Sequence, residues 1–160
     1  MIATALLGLS LAGLPCHSPL TSRCTCVQSL SAVVDTLGTA REALMYSTAI
    51  FTGRVINTAV RRDSVALVPP VGGRSWWRRH LIVATVVVQT RLKGTLSDTV
   101  QVETDIDPAS CGADLALDGE YLIDARSGPS NTLYTQHCGF TRPLSESGRL
   151  IELLERARAP

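Results

Sequence analysis

Two of the chain's five cysteines stand one residue apart, in Arg23-Cys24-Thr25-Cys26. Thiols that close together do not pair with each other, because the small ring they would form is badly strained. Each has to look elsewhere: to a distant cysteine, a metal or a redox partner. With Cys16 set aside, the distant cysteines are Cys111 and Cys138. Four cysteines allow three connectivities, and ring strain removes the one that contains Cys24–Cys26. Two long-range bridges remain, in either of two arrangements. Each would close a loop of roughly a hundred residues and contribute about 4–5 kcal/mol on the chain-entropy model. The C-x-C therefore reads as a double staple, pinning one short segment to two remote places.

A double staple presumes an oxidising compartment, and the first residues agree. The apolar run Ile2–Leu14 is broken by Pro15 and falls short of the roughly 20 residues that a bilayer span requires. It has the length of a signal-peptide core followed by a helix breaker. Residues 1–18 are accordingly expected to be a signal peptide or a lipoprotein-type signal, with Cys16 as the residue that would carry a lipid anchor. Residues 19–160 would form one exported domain, secreted, extracellular or periplasmic. The competing reading is a buried N-terminal helix in a cytosolic protein. A chain of 160 residues suffices for one domain with a full core. Its formal net charge of +1 gives no global bias toward nucleic acid or anionic membranes.

Periodicity supplies the elements. Gly38–Met45 is a run of good helix formers. Ala49–Val60 alternates and is β-branched, the pattern of a strand. His80–Gly94 is nearly continuous in apolarity, which predicts a strand covered on both faces. Between them, Arg61–Arg79 carries Pro-Pro and Gly-Gly at its centre and is expected to be a loop or a splayed hairpin. Asp98–Thr104 alternates, and Gly119–Arg126 with Thr132–Cys138 reads as a hairpin. From Ser145 onward the chain is helical, with Leu150, Ile151, Leu153 and Leu154 on one apolar face. About five strands and few aromatics (4%) predict a mainly β fold with an aliphatic core. Such a set suits a small five-stranded barrel with a short N-terminal helix and a C-terminal helix.

Five stretches occur in the order found in netrin-like domains: CTCV, EALMYSTAIFTGRV, RLKG, ASCGADLALDGEYLI and LYTQHCGFTRPLSES. Together they span about Cys24 to Leu154, and they most resemble the N-terminal domain of tissue inhibitors of metalloproteinases. The resemblance implies a five-stranded OB-fold-like barrel and the bridges Cys24–Cys111 and Cys26–Cys138. It also implies a mechanism, in which the free amino group and carbonyl of Cys24 would bind a protease zinc while Thr25 enters the specificity pocket. Two departures stand out. Met45 occupies the place of a further cysteine in those inhibitors, and HSPLTSR separates the apolar run from Cys24. A working chelator would need cleavage after Arg23, so Cys24 reads first as a structural half-cystine.

Other chemistries are weighed on the same residues. Cys24, Cys26, His137 and Cys138 lack a standard zinc-finger spacing and would strand Cys111, so no metal and no cofactor is expected. Arg61–Lys93 holds seven Lys and Arg against one acid and includes Trp76 and Trp77. Arg74, Trp76, Trp77, Arg78 and Arg79 are therefore the candidate partner-binding loop, since Trp and Arg anchor interfaces. A nucleic-acid- or polyanion-binding OB domain would use the same residues by stacking and phosphate pairing, and is the least favoured reading. Glu103, Asp105 and Asp107 are expected to be solvated. No H-E-x-x-H, nucleophile elbow or phosphate-cradling glycine loop is present, and the chain is not expected to be an enzyme. The expected function is protein binding: inhibition of a zinc metalloprotease, or a generic extracellular interaction module without inhibitory activity.

Overall fold

Helix formers after a threonine set the first element. In the computed structural model, which describes residues 35–67, 75–106, 111–128, 132–136 and 139–159, helix α1 runs Leu37–Tyr46. Side chains are described throughout these spans except at 63–67 and 75–79. The Thr36 hydroxyl accepts from the Thr39 N–H at 3.1 Å, and the Thr39 hydroxyl accepts from the Thr36 N–H at 3.0 Å. That reciprocal pair satisfies donors that a helix start leaves open. At the other end the Lys93 ammonium donates to the carbonyls of Leu44 and Ser47, a cation placed where the helix dipole favours one.

Strands β1 (Ala49–Leu67) and β2 (Ser75–Lys93) form one long antiparallel ribbon, in register from Ile50↔Lys93 to Leu67↔Ser75. β3 (Thr99–Asp105) pairs with β2 over Leu81–Val87. β4 (Glu120–Ser127) pairs with the first part of β1, from Ala49↔Ala125 to Arg54↔Glu120. The short β5 (Leu133–Tyr134) lies parallel to β3 and antiparallel to β4. These five strands close on themselves through β1 and β4, and β6 (Arg142–Pro143) adds to β4. Among the described residues the sheet thus has six strands, one more than the sequence predicts, because the two-residue β6 is too short to leave a periodic pattern. A 3₁₀ turn, Leu144–Glu146, leads into helix α2 (Gly148–Arg158).

Alternation along the strands divides the buried residues between two cores. Phe51, Val55, Ala84, Val86, Val102 and Ile123 pack inside the ring. Ile50, Leu92 and Leu122 point outward and are covered by Ala40 and Ala43 of α1 and by Leu150, Leu153 and Leu154 of α2. The predicted apolar face of the last helix is therefore the one buried, with Ile151 at its margin. Both faces are covered along β4, where Tyr121 to Ala125 are all buried. They are not along β2. There Ala84, Val86 and Val88 turn inward while Val87 is 37% exposed, so the expectation of a doubly covered β2 is corrected. The helices lie over β1, β4 and the end of β2 at Leu92, and leave Val87 at the surface, where β-branched residues still suit the pleat.

β1 keeps β2 as a partner along its length, and a glycine lets the two strands approach closely. A Cβ on Gly53 would stand 2.6 Å from a Val86 methyl and 2.7 Å from the Val87 carbonyl oxygen, closer than real side chains approach. Register shifts at Thr52/Gly53 and Val55/Asn57 bend the strand there. Arg142 anchors the other side, its guanidinium 3.1 Å from Asp35 just ahead of α1. No helix among the described residues is long and apolar enough to cross a membrane. The signal expected at 1–18 lies outside the described residues.

Candidate functional site

β4 leaves β1 after Arg54, and β3 reaches only as far as Leu81 along β2. Beyond those points Arg62–Leu67 and Ser75–His80 pair, as strands among the described residues, only with each other. A two-stranded ribbon therefore projects from the ring. Trp76 is paired with Ala66, Trp77 with Val65, Arg78 with Ser64 and Arg79 with Asp63. These four positions were expected in a loop or a splayed hairpin. They stand on a regular strand, because Val65 and the two tryptophans favour extended backbone; the Pro-Pro and Gly-Gly pairs lie outside the described residues. Arg74 lies outside the described residues, as do Cys16, Cys24, Thr25, Cys26, Asp107, His137 and Cys138. From Arg61 to His80 the sequence carries five arginines and one acid.

The foot of the ribbon is braced by a fork of charge-assisted bonds. Arg61 on β1 reaches Glu103 on β3 with both terminal nitrogens, Nη1 to Oε1 at 2.6 Å and Nη2 to Oε2 at 3.0 Å. The Tyr134 hydroxyl donates to Asp105 Oδ2, and Gln136 Nε2 donates to the tyrosine oxygen at 3.2 Å. Glu103 and Asp105 were expected to be solvated, yet they are only 2% and 7% exposed. β3 lies between β2 and β5, so Glu103 is flanked by Val83 on one side and Tyr134 on the other. Burial of these carboxylates is tolerated because each accepts a hydrogen bond from a neighbouring side chain.

The segment after β3 folds back across the end of the ring. A Cβ on Gly112 would fall 1.7 Å from the Asp105 carbonyl oxygen, so only glycine admits this approach. The Ala113 N–H donates to the Thr104 hydroxyl at 2.6 Å, and Leu115 joins the inner core. Cys111, in the left-handed region at φ 60°, is disulfide-bonded. The residues of the expected bridges other than Cys111 lie outside the described residues. A second polar knot joins Thr135, Phe140 and Asp124. There the Thr135 hydroxyl donates to the Asp124 carbonyl at 2.8 Å and the Phe140 N–H to Asp124 Oδ2 at 3.2 Å.

Where the ribbon meets this returning segment there is an apolar pocket of about 200 Å³, lined by Thr58, Val60, Ile82, Ile106, Leu115 and Leu117. Val60 is 61% exposed and Leu117 57%. Sequence reasoning missed it, since nothing local separates an apolar residue at a mouth from one in a core. A wider polar cleft of about 710 Å³ opens elsewhere, between the Arg54–Asp118 ion pair, Glu120 and Ser145. Among the described residues no three His, Cys, Asp or Glu are grouped to hold a metal ion. The arrangement pairs buried, hydrogen-bonded carboxylates with an exposed arginine, Arg62, at the start of the ribbon. No family model matches the chain, and no curated protein matches it.

Proposed function

We propose that this chain is an exported, disulfide-stapled protein-binding domain of the netrin-like kind, with the closed ring of strands as an OB-type body. The observation that carries the reading is the arginine-rich ribbon, which projects beyond the ring and pairs only with itself among the described residues. A two-stranded ribbon is marginal on its own. Here the Arg61–Glu103 fork ties it to the body, so it is held ready rather than ordered on contact, which lowers the cost of binding.

The most concrete version is inhibition of a zinc metalloprotease, and it rests on the resemblance around Cys24 and Thr25. An α-amino group has a pKa near 8, so near neutral pH a useful fraction is unprotonated and able to donate to zinc; a peptide nitrogen is not. A form of the protein beginning at Cys24 is expected to inhibit members of a zinc-protease panel. Acetylating its amine, or adding one residue before Cys24, should abolish inhibition, and Thr25→Gly should weaken it. If the Cys24-initiated form inhibits none of the panel, the chelating version is wrong. Function would then rest with the ribbon of a generic interaction module.

A further inference from the structure

The free edge of β1 begins where β4 ends, and the apolar pocket sits at that junction. β4 occupies this edge from Ala49 to Arg54. One more step follows, with the Val55 N–H donating to the Gly119 carbonyl and the Asp118 N–H to the Val55 carbonyl, both at 2.9 Å. The chain then turns away at Asp118, in the left-handed region at φ 63°. From Ile56 to Leu67 no described strand pairs along that edge. The pocket lies in the gap so opened, between Thr58 and Val60 on one side and Leu115 and Leu117 on the other.

We propose that this edge accepts an extended segment of a protein partner as an added strand, which continues the line that β4 vacates. The inference rests on the binding-domain reading and specifies how the ribbon is engaged. Backbone groups along an open edge supply the hydrogen bonds of strand addition, and pockets for alternate side chains supply selectivity. At about 200 Å³ the pocket is below the size of a small-molecule site and suits one aliphatic side chain. Arg62, two residues beyond Val60, is exposed and in no ion pair among the described residues. Side chains two apart on a strand share a face, so the geometry selects an aliphatic residue two positions from an acidic one. Arg61 does not compete for that acid, because its guanidinium is held by Glu103.

The test uses the full chain, labelled with ¹⁵N, and a blocked heptapeptide probe, Thr-Asp-Thr-Leu-Thr-Val-Thr, whose order suits antiparallel addition, with a second probe in which Lys replaces Asp. The acidic probe should perturb and protect amides between Asn57 and Arg62. Arg62→Glu should weaken it at least tenfold and strengthen the lysine probe. Leu117→Glu, at an exposed position, should abolish binding of both while the ring amides keep their protection. Shifts that map elsewhere, or affinities unchanged in both variants, would overturn the proposal. So would a concentration-dependent dimer in sedimentation that Leu117→Glu dissolves, since a second copy would then be the occupant. If the Cys24-initiated form inhibits a protease and Leu117→Glu alters neither inhibition nor probe binding, the edge site fails and the binding-domain reading stands. If the probe binds as expected and no protease is inhibited, the edge site stands and the inhibitor version falls.

Discussion

Arg61 and Glu103 share one ion pair but not one environment: the arginine side chain is 43% exposed and the glutamate 3%. Removing either leaves a very different orphan. Arg61→Ala strands a carboxylate that water cannot reach, and is expected to cost about 2–4 kcal/mol. Glu103→Gln leaves a guanidinium that can turn to solvent, at a cost of about 1–2 kcal/mol. Urea midpoints at unchanged m-value measure both, and the reverse order would mean that Glu103 is not sealed off. Neither the pair nor its burial was legible in the sequence. The two residues are 42 positions apart, and Glu103 sits in an alternating stretch whose polar members look solvent-facing. Only the pairing of β5 with β3 sets Tyr134 beside Glu103, and β5 is two residues long.

At the scale of elements, local pattern and structure agree closely wherever the local signal is complete. The helix expected over Gly38–Met45 is observed over Leu37–Tyr46, and the alternating Asp98–Thr104 becomes β3. The ribbon is where they part. Proline and glycine at the centre of Arg61–Arg79 predicted a loop or a splayed hairpin, yet the strands stay paired as far as Leu67 and from Ser75. Turn residues mark where a hairpin reverses but not how far its arms extend, which depends on cross-strand pairing. Because the outer ribbon pairs only with itself among the described residues, replacing Trp76 and Trp77 together with alanine should change stability by less than about 1 kcal/mol. Thermal unfolding checks this. A loss of several kcal/mol would mean that the tryptophans belong to a core and are not available to a partner.

For the molecule as a whole, closure comes from segments remote in sequence. Ala49–Arg54 pairs with Glu120–Ala125, and the loop that follows β3 lies across one end of the ring, held by the glycine at position 112 against Asp105. Cys111, in that loop, is disulfide-bonded. Cys111→Ser should therefore destabilise the protein by about 2–5 kcal/mol while leaving the ring able to form. Non-reducing peptide mapping should link Cys111 to Cys24 and Cys26 to Cys138. A free thiol at Cys24 or Cys26, or bound zinc in stoichiometric amount, would overturn the double staple and return the C-x-C to metal chemistry.

Period and propensity alone determined that this chain is mainly β with a helix near each end of the described region, and they marked Leu150, Leu153 and Leu154 as a buried face. Those properties are local: a turn of helix or a pair of strand residues already contains them. The tertiary structure alone decided which sheet faces are covered, that Glu103 and Asp105 are buried, and that apolar Val60 and Leu117 are left at a mouth instead of a core. Each depends on which strand ends first beside which neighbour. Where β4 stops at Arg54's partner, Glu120, it leaves the rest of β1 with an open edge, and no residue of β1 encodes that departure.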